Sequence, residues 1–219
     1  MFNRKHKVAL SVELSKSAFT LAEVLITLGI IGVVAALTMP SLIAKHQKQV
    51  WATQLKKDVN WVLNSINQIK AEEMVDSLAN TKYLTEDNSN ELYTNYFFVN
   101  SELEKNLKII NKVSIVHNDD TVRETEYYVL ADGSCVHFDG GVYDSLSYSI
   151  DVNCQKGPNL YGRDAFAIYT DINGKIIVPN GEMDLTTNYC REQIKSFPND
   201  YWLKFCSYAI MKDGWKMNY

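Results

Sequence analysis

The sequence predicts an α+β protein, a long N-terminal helix packed on a small antiparallel β-sheet head, and three observations carry that prediction. Val24 to Ala44 is a run of 21 residues with no charged side chain. From Lys45 to Asn80 the pattern becomes charged and amphipathic, with apolar residues at helical spacing. Further on, Asp132-Gly133 and Asn173-Gly174 each separate two short apolar stretches, as the dipeptide of a tight hairpin does.

At roughly 1.5 Å per residue the uncharged run makes a helix of about 31 Å, close to the thickness of a bilayer's hydrocarbon core. A soluble core helix seldom runs this far without a polar face, so the segment belongs in a membrane or a membrane-like environment. The stretch before Phe19, MFNRKHKVALSVELSKSA, is polar and the apolar block follows it. A secretory signal has the opposite order, with its apolar block ahead of the cleavage site. Glu23 is the lone acid at the edge of the run. A carboxylate costs about 2.5 to 3.5 kcal/mol at the centre of a membrane helix, so Glu23 needs a cationic partner or access to water at the membrane surface. Pro40 lacks an amide hydrogen and its ring crowds the carbonyl of Ala36, which predicts a bend or a loosening there. Gly29, Gly32, Ala35 and Ala36 are small enough to let helix backbones approach closely.

Ala18, Phe19, Thr20, Leu21 and Glu23, followed by the aliphatic run with Gly29, Gly32 and Pro40, resemble the prepilin cleavage and methylation signature. That signature marks type IV pilins and the pseudopilins of type II secretion systems. Two positions depart from it: Ala18 stands where most members have Gly, and Ala22 where a bulkier aliphatic residue is common. The resemblance implies that a prepilin peptidase cuts between Ala18 and Phe19 and methylates the new amino group of Phe19. It implies a single-pass protein of the cytoplasmic membrane, its head periplasmic or extracellular, with no cofactor. Its partners would be other pilin or pseudopilin subunits and an assembly platform protein, with an assembly ATPase behind them. Glu23, Gly29, Gly32 and Pro40 then become assembly residues. The cation for Glu23 would be the amine of Phe19, four residues away, on the same chain or on a staggered neighbour.

Residues 1–18 read as a leader, 19–80 as the helix, with its span at about 24–44 and its amphipathic part at 45–80, and 81–219 as one head domain. In the amphipathic part Trp51, Leu55, Val59, Val62, Ile66 and Ile69 recur at steps of three and four, forming a seam for the head. Lys48, Lys56, Lys57 and Asp58 fall on the solvated side. The formal charge is −4, and loss of the leader, with four basic residues and one acid, takes it to −7. That balance disfavours general nucleic-acid binding. Basic residues flank the span on both sides, so charge does not orient it. The four cysteines, Cys135, Cys154, Cys190 and Cys206, all lie in the head, without C-x-x-C spacing. They read as two disulfides of an oxidising compartment or as buried thiols. Of three connectivities, Cys135 with Cys154 and Cys190 with Cys206 closes two local loops.

In the head, strands are expected at Tyr127–Leu130, Ser134–Phe138, Tyr148–Val152, Phe166–Thr170 and Lys175–Val178. Glu91–Lys108 reads as containing a short helix, and Lys112–His117 as a strand before a polar turn at Asn118–Asp120. Tyr201–Lys212 has helical spacing through Trp202, Phe205, Ala209 and Ile210, with Gly214 placed to stop it. The segment DVNCQKGPNLYGRDAFAIYTDINGK is similar to a head motif of some pilin-like proteins, with Gly157, Pro158, Asn159, Gly162, Asp164 and Phe166 around a fixed loop. The oxygens of Asp151, Asn153, Asn159, Asp164, Asp171 and Asn173 would suit calcium, as in some pseudopilin heads. No EF-hand spacing is present, however, and these residue types more often make turns and caps, so no metal is assigned.

Enzymatic chemistry finds no G-x-S-x-G, H-E-x-x-H or phosphate-cradling glycine loop. His137 beside Cys135 and Asp139 is the one conspicuous polar cluster, and a disulfide would consume its thiol. The expectation is a structural subunit of a type IV pilus or a type II secretion pseudopilus, not an enzyme. The alternative is a membrane-tethered extracytoplasmic binding or sensor domain that does not polymerise.

Overall fold

A computed structural model describes residues 19–87, 96–99, 108–117, 124–142, 145–178 and 185–219, with backbone alone at 85–87, 96–99 and 141–142. It separates into two units, Met1–Ala44 and Lys45–Tyr219. Helix α1, Leu21–Glu72, runs through the boundary. The expected leader, the turn at Asn118–Asp120 and most of Glu91–Lys108 fall outside the described residues.

In the first unit α1 is long and apolar enough to cross a membrane. No described residue of this unit is buried; Leu37, for example, is 76% exposed. Thr27 and Thr38 satisfy their hydroxyls locally, Thr27 donating to the Val24 carbonyl and Thr38 to the Val34 carbonyl, as buried or lipid-facing helices require. Pro40 sits inside α1 without ending it.

In the second unit α1 buries Leu55, Val59, Val62, Ile66 and Ile69 of the face its spacing predicts, together with Ala52, while Trp51 is only partly buried. Each of the Leu, Val and Ile side chains contributes about 1.5–3 kcal/mol when fully buried. Asp58 departs from the sequence reading, for it is 1% exposed rather than solvated. It lies one helical turn from Leu55 and Val62, so a seam wider than one ridge takes it in. Gln54 donates to it, and Gln54 and Lys57 both donate to Asp132 in the hairpin turn.

The helix ends at Glu72, earlier than the expected Asn80. Met74 has φ 55°, the Val75 N–H reaches the Lys70 carbonyl, and the Met74 N–H reaches that of Ala71. This is a Schellman ending built without glycine, so sequence gave no stop signal. A 3-10 turn at Leu78–Asn80 follows, capped by Ser77.

Among the described residues, eight antiparallel strands form one sheet: β1 (Leu84–Asp87), β2 (Tyr96–Val99), β3 (Ile109–Val116), β4 (Glu124–Leu130), β5 (Cys135–Val142), β6 (Ser145–Asp151), β7 (Ala165–Asp171) and β8 (Ile176–Ile177). Within Glu91–Lys108, where a short helix is expected, Tyr96–Val99 is a strand paired with β1 and β5, and the residues that could hold the helix lie outside the described ones. The sheet branches at β5. One edge of β5 pairs with β4 through Val136 and Cys135 and with β2 through Gly141 and Val142, while the other pairs with β6 throughout. Both expected hairpin turns close, β4 to β5 through Asp132-Gly133 and β7 to β8 through Asn173-Gly174.

The sheet alternates faces as strands must. Val136, Tyr148, Ile150, Phe166 and Ile168 join the core with α1, while Ala167 meets Leu185, Phe205 and Tyr208. Those come from the C-terminal segment, which holds α2 (Thr187–Ser196) and α3 (Cys206–Lys212). The expected single helix over Tyr201–Lys212 is split: a 3-10 turn, Tyr201–Phe205, precedes α3, and Trp202 is 45% exposed. Helix α2 was not foreseen, although Thr186 caps it by accepting from the Tyr189 N–H.

Candidate functional site

The residues singled out by sequence fall into two places, one in each unit. In the first, Ala18 lies outside the described residues, and Phe19 stands 86% exposed just ahead of α1. Glu23 occupies the third helical position and closes a capping box with Thr20. Its carboxylate accepts from the Thr20 N–H at 2.8 Å and from the Thr20 hydroxyl at 2.9 Å, and the Glu23 N–H reaches that hydroxyl oxygen at 3.2 Å. The pattern Thr-x-x-Glu ahead of an apolar run was the signal for this, and the sequence reading passed over it. The carboxylate is therefore fixed at the positive end of the helix dipole, on Thr20. A Cβ placed on Gly29 or Gly32 would touch nothing within 4 Å. Nothing among the described residues needs a glycine there.

In the second unit the cysteines form two bonds, Cys135–Cys154 and Cys190–Cys206. The first takes up the thiol beside His137 and ties β5 to the loop after β6. The second ties α2 to the start of α3. His137 keeps both ring nitrogens engaged, Nδ1 at 2.7 Å from the Glu126 carbonyl and Nε2 at 3.2 Å from Asp139. Burial works against its proton, but the Asp139 carboxylate outweighs it and holds the imidazole's pKa above the ordinary value. Asp139 also accepts from Ser147 and Ser149. His137, Asp139, Ser147 and Ser149 thus form one polar network across β5 and β6.

In the oxygen-rich loop some side chains cap turns, while Asp151 Oδ2, Asn153 Oδ1 and Asn159 Oδ1 are buried with no hydrogen-bond partner among the described residues. Asp164 is fully buried and accepts from the Asn159 and Leu160 N–H groups, while Asp171 does the same for Asn173 and Lys175 across the hairpin. Asp151 accepts from the Asn153 N–H, and its pKa is pushed up to about 8 by burial and then by the charge of Asp164. Gly162 has φ 75°, and a Cβ there would meet Leu203 Cβ and the Leu203 carbonyl oxygen at 3.1 Å. The loop is thus shaped by backbone geometry that only glycine fits.

The chain matches no family model, no curated protein and no solved structure. Its functional reading therefore rests on its own residues. Among the described residues, no cluster of three or more His, Cys, Asp or Glu side chains is arranged to hold a metal.

Proposed function

We propose that this chain is a structural subunit of a pilus-like fibre, a type IV pilus or a type II secretion pseudopilus. In this reading it is cut between Ala18 and Phe19 and assembled through the first part of α1. One observation carries it: an apolar helix uncovered by its own chain, with a single carboxylate pinned at its first turn. Such a surface must be covered, by lipid or by like helices. Cleavage would create an ammonium at Phe19, one residue from Thr20, whose N–H already meets the Glu23 carboxylate. The same carboxylate can serve its own terminus or that of a neighbour as the helix leaves lipid for the fibre. Gly29 and Gly32 support helix-to-helix contact, because glycine costs a helix about 1 kcal/mol relative to alanine and the monomer gives no reason for either.

The test is twofold. Mass spectrometry of the mature protein should find a chain beginning at methylated Phe19. Glu23→Gln should abolish fibre incorporation while membrane insertion and disulfide formation persist. An intact leader on the mature protein, or normal assembly of the variant, would defeat the reading in favour of a simple tether.

A further inference from the structure

Between β6 and β7 the chain buries more acceptors than donors. Asp151 is wholly buried, and while its Oδ1 takes the Asn153 N–H at 3.1 Å, its Oδ2 has no hydrogen-bond partner among the described residues. Asn153 commits its amide nitrogen to the Gly157 carbonyl at 2.9 Å, so its oxygen is the free end, buried and unpartnered. Asn159 gives its backbone N–H to Asp164 Oδ2 at 3.0 Å and leaves its own Oδ1 in the same condition. Asp164 links the three. It is wholly buried, the Asn153 side chain acts on it, and its charge works on Asp151. Three of the eight buried side-chain nitrogens and oxygens that lack a partner among the described residues therefore fall within one loop. Lys156 and Arg163, the cations of that loop, are exposed.

We propose that this loop binds a calcium ion through the free oxygens of Asp151, Asn153 and Asn159, with Asp164 as the second negative charge beside it. A buried acceptor without a donor carries its full desolvation penalty, and a native fold rarely leaves several together. One water brings two hydrogens to three acceptors and leaves both carboxylate charges unmet. A divalent cation satisfies all three oxygens and offsets both charges. The donors are hard oxygens of carboxylate and amide, with no sulfur or imidazole among them, which selects calcium or magnesium over a transition metal. Calcium accepts irregular sets of about six to eight oxygens, waters included, whereas magnesium demands near-ideal octahedral geometry and gives up its water reluctantly. Three protein oxygens on an irregular loop therefore suit calcium. Asn153 and Gly157 also border an open cleft against α1, a path for the ion from solvent. The site lies wholly within the second unit, so it stands whether or not the chain spans a membrane or assembles.

The test uses the full chain in mild detergent, stripped with EDTA and then titrated with calcium chloride or magnesium chloride at constant ionic strength. Calorimetry should find one calcium per chain with a Kd of about 0.1–1 mM, the range of extracellular calcium modules, and magnesium binding at least about tenfold weaker. At about 10 mM calcium the Tm of the head should rise by roughly 3–10 °C. Asp151→Asn should abolish both responses. Asn159→Asp adds a charged ligand and should tighten calcium binding by about tenfold while lowering the Tm of the stripped chain. A purely structural asparagine does not produce that pairing of effects. Absence of a calcium-dependent Tm shift in the parent, equal responses to the two ions, or an unchanged response in Asp151→Asn overturns the proposal. If Asp151→Asn fails to fold, Asn159→Asp decides alone, and unchanged or weaker calcium binding in it refutes the site.

Discussion

Asp58 offers the sharpest quantitative test of how the head is built. It is buried on α1, one oxygen accepting from Gln54, and its pKa is pushed up to about 8 from 3.8, by burial first and by the charge of Asp132 second. The folded chain therefore keeps this proton across a window in which the unfolded chain has released it. A state that binds more protons loses relative stability as pH rises, so Asp58 favours folding below about pH 4 and costs progressively more up to about pH 8. At about 1.4 kcal/mol per pH unit, the cost at pH 7 is on the order of 4 kcal/mol. Asp58→Asn removes the titration and keeps the shape. Its stability should match the parent near pH 4 and exceed it by about 5 kcal/mol at pH 8, about 10–20 °C in Tm for a domain of this size. The assay is thermal and urea unfolding of the full chain in mild detergent from pH 4 to 8, followed by tryptophan fluorescence. Asp151 slopes in the same direction, so the variant-minus-parent difference isolates Asp58. A difference that stays flat with pH would refute the reasoning.

Met74→Gly should stabilise the head by about 1 kcal/mol, since Met74 is 93% exposed and holds a left-handed conformation at the end of α1; urea midpoints would show it. Gly162→Ala should destabilise by at least about 1–2 kcal/mol, because the added methyl meets the Leu203 backbone at a positive φ; a smaller loss in Tm would mean that the loop relaxes freely. Replacing Cys190 and Cys206 by Ser opens a bond with a sequence separation of 16 and should cost about 3 kcal/mol, read as a lower urea midpoint.

Much of the architecture was legible locally. The two zones of α1 follow from composition and from steps of three and four, and the two hairpins follow from Asp132-Gly133 and Asn173-Gly174, because each depends on residues close in sequence. The capping box at Thr20 and Glu23 and the cap of α2 at Thr186 were equally local and were passed over. Other features had no local signal. Met74 ends a helix where glycine would ordinarily stand, and β2 carries its strand because β1 and β5 pair with it.

By itself the sequence determined which stretch is long and apolar enough to leave water and where the helix turns from apolar to amphipathic. These are matters of charge and periodicity along the chain. The tertiary structure alone decided that Asp58 is buried, that β5 serves two partners on one edge, and that Asp151, Asn153 and Asn159 each bury an oxygen with no partner among the described residues. Those depend on which distant segments meet, and such meetings are selected by the burial of the whole core rather than by any neighbouring residue.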